Sequence, residues 1–179
     1  MYTDGRSKKV AFVAHCLLNQ NSISDGTAVY PAAFKDVIHT LLDADIGIVQ
    51  LPCPELCCLG LNRGNPDGAN APVVEENTRI RRAMKESAAA NKLTALVDHT
   101  MLQIHEYSSN GFEIVGIIGA NRSPNCGVET TSDDNREIAG MGLFMQALAD
   151  RLKERDLVIP MIGLKSSDDS VGKVMSLLE

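Results

Sequence analysis

Lys9-Val10-Ala11-Phe12-Val13-Ala14-His15 is a short, almost wholly apolar run with no alternation of apolar and polar positions. A strand covered on both faces reads this way, because neither of its sides meets water. Further along, Ile46-Gly47-Ile48-Val49-Gln50-Leu51 has the same character. It stops at Pro52, which has no N–H to give a ladder. Phe112 to Gly119 and Leu157 to Ile162 read as further strands. Segments of helical character lie between and after them. Pro31 to Leu42 places Ala33, Val37 and Leu41 on one face, and a Glu-, Arg- and Ala-rich segment runs from Val73 or Val74 towards Glu106. Met141 to Arg155 and Ser170 to Leu178 follow. Strands alternating with helices predict an α/β fold, with a mostly parallel sheet and helices on both faces.

At 179 residues, a single domain spanning 1–179 is expected, large enough to bury a core without staples. Hydrophobic residues make up 44% and aromatics only 4%, with no Trp, so the core is assigned to Val, Ile, Leu, Ala and Met. Few aromatics and a net charge of −6 without a basic cluster argue against a nucleic-acid polymer as partner. Residues 1–9 lack the apolar stretch of a signal peptide. No apolar run reaches the roughly 18 residues of a membrane span. A cytoplasmic location with no membrane partner is the expectation. Thiols stay reduced there, so five cysteines point to metal or catalysis ahead of disulfides. Free cysteine also serves as a small buried hydrophobe.

Cys16 directly follows the first predicted strand, Cys53 follows the second by two residues, and Cys126 lies in the loop after the third. In a parallel sheet, ligands collect outside the carboxyl ends of the strands, so all three cysteine loops are expected at that edge. There is no Cys-x-x-Cys pair, which disfavours a zinc ribbon or a thioredoxin-type motif. Spacing alone leaves open a shared metal site or three unrelated buried thiols. The local settings are stiff: Pro52-Cys53-Pro54-Glu55 brackets its thiol with prolines, and Ser123-Pro124-Asn125-Cys126-Gly127 combines a proline with turn formers.

Cys16-Leu17-Leu18, Cys53-Pro54-Glu55 and Arg122-Ser123-Pro124-Asn125-Cys126-Gly127, in that order, resemble the motifs of the 2-thiouracil desulfidase family. The resemblance spans residues 16 to 127. It implies that Cys16, Cys53 and Cys126 ligate a [4Fe–4S] cluster with one iron left open. It also implies that Glu55 and Ser123 handle protons there, and that the substrate is a thiolated pyrimidine or related small thione whose C=S becomes C=O. Two departures mark a divergent branch. Asn19 stands where the family usually has glycine, and Leu56 to Arg63 replaces a glycine-rich, proline-containing stretch.

The Gly60 to Ala71 loop and the start of the next helix are expected to border the open iron, with Arg63 a candidate for binding substrate. Cys57 and Cys58 read as a buried pair on a short helix, and His15 as structural. Two other functions fit the same residues: a zinc hydrolase on the same three cysteines, and a non-catalytic iron–sulfur sensor or binding domain. Oligomeric state is not legible in the sequence.

Overall fold

The apolar N-terminal run forms strand β1 (Lys9–Val13), with four of its five residues buried. The computed structural model describes residues 2–166 and 168–178. In chain order, β1 is followed by α1 (His15–Leu18), α2 (Lys35–Asp43), β2 (Gly47–Gln50) and α3 (Pro54–Leu59). Then come α4 (Val73–Met84), α5 (Ser87–Ser109), β3 (Glu113–Ala120), β4 (Thr130–Asp133) and β5 (Arg136–Ala139). The described chain closes with α6 (Leu143–Glu154), β6 (Met161–Leu164) and α7 (Ser170–Leu178).

The main sheet runs β2-β1-β3-β6, and every pairing in it is parallel. β3 carries a bulge: Val10 pairs with Ile114 but Ala11 with Gly116, so Val115 is the extra residue. The connection from β1 runs towards β2, and the one from β3 runs the other way, towards β6. Right-handed crossovers therefore put α2 and α6 on opposite faces. The contacts agree, since α2 packs on α7 while α5 packs on α6 and β3. Phe12, Leu41, Ile117, Ile118, Phe144 and Met145 are fully buried in the resulting core. The α/β fold with a mostly parallel sheet and helices on both faces is the observed one. Among the described residues, no helix is long and apolar enough to cross a membrane.

Several boundaries differ from the sequence reading. β1 ends at Val13 rather than His15. The Ala14 N–H bonds the Ile118 carbonyl, and the chain then turns into α1. Helix α2 starts at Lys35 instead of Pro31, because residues 32 and 34 are tied to the preceding loop. There Gln20 N–H donates to the Ala32 carbonyl and Phe34 N–H to that of Leu17. The last strand begins four residues late, at Met161, since Pro160 offers only its carbonyl, which Ile117 N–H takes. The connection after β3, expected as the loop that carries Cys126, also contains β4 and β5. Their sequences, TTSD and REIA, have too few apolar positions to show a strand period. The long helical segment breaks at Lys85-Glu86 into α4 and α5.

Candidate cofactor and active site

β1 and β3 are neighbours whose onward connections leave in opposite directions, which makes the carboxyl end of this pair the switch point where a crevice opens. Cys16 enters it in the first turn of α1. Gln20 holds this turn: its side-chain amide donates to the Cys16 carbonyl at 2.7 Å and accepts from Val29 N–H at 3.0 Å. Cys53 arrives from β2 as the N-cap of α3, with Pro54 at the first helical position, where a missing N–H costs nothing.

Cys126 comes from the loop after β3, which folds back on its own strand. Ala120 N–H donates to the Cys126 carbonyl at 2.8 Å. A Cβ on Gly119 would overlap that carbonyl oxygen and meet Val128 Cγ2 at 2.7 Å, so only glycine admits the loop this closely. Ser123 Oγ accepts from the N–H groups of Asn125 (3.2 Å) and Cys126 (2.9 Å), shaping the turn. Asn121 Oδ1 accepts from three successive N–H groups, Val128, Glu129 and Thr130. The start of α6 anchors the same loop, because Leu143 N–H bonds the Pro124 carbonyl and Phe144 and Met145 N–H share that of Asn125. These are helix N-terminal donors that would otherwise lack partners.

The three cysteines line one recess together with Glu55, Arg63 and Ser123. Each sequence-predicted site residue is therefore in the same wall. Burial pushes the Cys16 thiol up to about 12, with charge on Cys53 and then Glu55 adding to the effect. Cys53 is pushed up to about 11 by burial and next by Glu55. Cys126 stands well above the ordinary thiol value of 9.0, from burial first and then from Cys16, Cys53 and Glu55. Charge on Cys53 thus disfavours ionisation of Cys16, and charge on either disfavours that of Cys126, effects that a cationic centre among them would reverse.

Among the described residues, no three His, Cys, Asp or Glu side chains are gathered as the ligands of a single metal ion. Three thiolates are a soft donor set, of the kind that iron–sulfur clusters and zinc both accept.

Glu55 sits in the first turn of α3, 7% exposed. Its Oε2 accepts from Ser24 Oγ and Arg63 Nε, both at 3.2 Å. Its Oε1 accepts from Asn125 Nδ2 at 3.1 Å and Ser123 Oγ at 3.4 Å. Four donors fill the roughly four lone-pair sites of a carboxylate, and the Ser123 bond is the longest of them.

Asn125 is fully buried, and its Oδ1 has no hydrogen-bond partner among the described residues. In sequence Asn125 reads only as a turn former, and Ser24 does not stand out at all. Ser24 is separated from Glu55 by 31 positions, and nothing local to either residue signals the pairing. From the Gly60–Ala71 loop, Arg63 reaches the recess; from α4, Val73 and Asn77 do. Leu61, Asn62, Asn65 and Pro66 instead border a separate open depression.

Cys57 is exposed rather than buried as expected, and Cys58 is half-buried against the satellite cluster of Ile80, Met84 and Ala89. Both fall outside the recess lining. The helix places Cys57 four residues after Cys53, and its N–H bonds the Cys53 carbonyl at 3.0 Å. His15 is held neutral to lower pH than usual, by burial and then by the Arg63 charge, and its buried Nε2 has no partner among the described residues.

No family model matches the sequence, and no solved structure matches it. The chain is 26% identical over 174 residues to an uncharacterized protein of Methanocaldococcus jannaschii, MJ0003, with 97% of each chain covered.

Proposed function

We propose that the protein is an iron–sulfur-dependent desulfidase that replaces C=S by C=O in a small thione, such as a thiolated pyrimidine. The observation that carries this reading is the meeting of three thiols, buried Cys53 and Cys126 and half-buried Cys16, with Glu55 and Ser123 in one recess at the sheet's switch point. Cys16, Cys53 and Cys126 would hold a [4Fe–4S] cluster. When bound, such a cluster supplies an iron with an open position, a Lewis acid suited to the soft sulfur of a thione. In the net reaction a thione and water give the corresponding carbonyl compound and hydrogen sulfide, with no change in oxidation state.

Glu55 is the residue to accept the proton of the attacking water. Its bond from Ser123 Oγ, at 3.4 Å, is the one most readily exchanged for water. Ser123 Oγ already accepts two backbone N–H bonds, so its hydroxyl proton is free to point at either Glu55 or the substrate. The test is anaerobic purification, iron and acid-labile sulfide analysis, and sulfide release from 2-thiouracil and related thiones. Near-stoichiometric cluster with turnover is expected. A colourless zinc-loaded protein would reject the reading in favour of a zinc hydrolase.

The saturation of Glu55 by four donors favours one second reading, a cluster-bearing sensor in which the carboxylate only braces the recess. Cluster uptake without release of sulfide from any thione would select it.

A further inference from the structure

Arg63 stands in the left-handed region, φ 55°, in the middle of an irregular loop, yet its side chain is buried at 2% exposure. A guanidinium has five N–H donors and does not lose its proton in proteins. All five are engaged here. Nε donates to Glu55 Oε2 at 3.2 Å. Nη1 donates to the carbonyls of Gly60 (3.2 Å) and Leu61 (2.7 Å). Nη2 donates to the Ser22 carbonyl at 2.5 Å and to Cys53 Sγ at 3.7 Å. The backbone is pinned as well, because Arg79 Nη2 donates to the Arg63 carbonyl at 2.8 Å. No donor remains for a substrate, so the substrate-binding role expected from the sequence is not the one this geometry supports.

We propose instead that Arg63 is a positioning residue that fixes the Cys53 sulfur and the Glu55 carboxylate relative to one another and raises the reduction potential of the cluster. This inference rests on the cluster reading above. A permanent cation with an N–H on a ligand sulfur stabilises the more negative, reduced form. Hydrogen bonds to the sulfurs and local charge are among the factors that set such potentials. The interaction is strong because neither partner is solvated: burial removes the screening that weakens surface charges. The same fork joins three separate segments, the loop at Ser22, the start of α3, and the Gly60–Leu61 turn.

The experiment compares wild type, Arg63→Met and Arg63→Lys after anaerobic reconstitution, reading iron and sulfide content and the midpoint potential by dye-mediated titration with dithionite. Arg63→Met is expected to keep its cluster and to shift the reduction equilibrium at least tenfold towards the oxidised form, roughly 59 mV for a one-electron couple. Arg63→Lys is expected to shift in the same direction by less, since one ammonium has three donors for five sites. If Arg63→Met does not fold, Arg63→Lys decides the matter. A fully loaded variant at the wild-type potential overturns the inference and leaves the cluster standing. A wild-type chain that takes up no cluster removes both the cluster and this role for Arg63.

Discussion

Replacing Glu55 tests structure and chemistry together. In Glu55→Ala the buried Arg63 loses its carboxylate, and removing one partner of a buried pair costs about 3–5 kcal/mol. Glu55→Gln is a milder change, for reasons visible in the site. An amide offers one acceptor oxygen and one donor nitrogen. Its oxygen belongs on the side of Arg63 Nε and Ser24 Oγ, because Arg63 cannot accept. Its nitrogen then faces Asn125, whose amide can turn to present Oδ1, an oxygen without a partner among the described residues of the wild type. What remains lost is the ion pair itself and the Ser123 bond, together about 1–3 kcal/mol for charged hydrogen bonds reduced to weaker ones. Denaturant unfolding of the reduced, metal-free variants under anaerobic conditions measures both. Alanine is expected to cost clearly more than glutamine, and equal costs would show that Arg63 does not depend on Glu55. In the cluster-loaded form, Glu55→Gln is expected to keep its visible absorption and lose about 10²–10⁴ in sulfide release. Wild-type turnover in that variant would falsify its role as the proton acceptor.

Cys16→Ala, Cys53→Ala and Cys126→Ala are each expected to abolish cluster uptake on reconstitution, whereas Cys57→Ser and Cys58→Ser, outside the recess lining, should retain iron, colour and activity. Gly119→Ala forces a methyl into the Cys126 carbonyl and towards Met145 Cε at 3.1 Å. The expected cost is about 1–3 kcal/mol of overpacking, and iron uptake should fall further than the far-ultraviolet circular dichroism does. The metal-free protein should lose stability in alkali. The folded thiols of Cys16 and Cys53 titrate above 9.0, at about 12 and about 11. The unfolded chain therefore releases its protons first, and the stability held below about pH 9 declines as pH rises through these values. A flat unfolding midpoint between about pH 8 and pH 11 would show that the thiols are not buried together.

The fold was legible because its strands are continuous apolar runs that only a doubly covered sheet accommodates. The departures from it have separate causes. Pro160 moved the last strand because its carbonyl, not its absent N–H, meets β3. β4 is wholly polar and the only apolar residues of β5, Ile138 and Ala139, are adjacent, so neither strand carries an apolar period. The exposure of Cys57 depends on which face α3 turns inward, and six residues contain too few positions to display that face.

The candidate site divides in the same way. A cysteine that follows a parallel strand is placed by topology, so sequence order was enough to bring Cys16, Cys53 and Cys126 to one edge. Their supports are not placed by topology. Arg63 occupies a loop position that composition alone assigns to the surface, and it is buried because five acceptors from separate segments converge on it. An unpaired buried guanidinium is too costly to persist, so Glu55 is bound to that position as firmly as Arg63 is. A carboxylate fixed by a cation, two hydroxyls and an amide cannot swing to follow a substrate. On the proposed mechanism a proton donor would therefore come to it, along the side where Ser123 makes the longest of the four contacts. The setting of Glu55 is thus fixed by side chains distant in sequence, while the thiols are set by strand order.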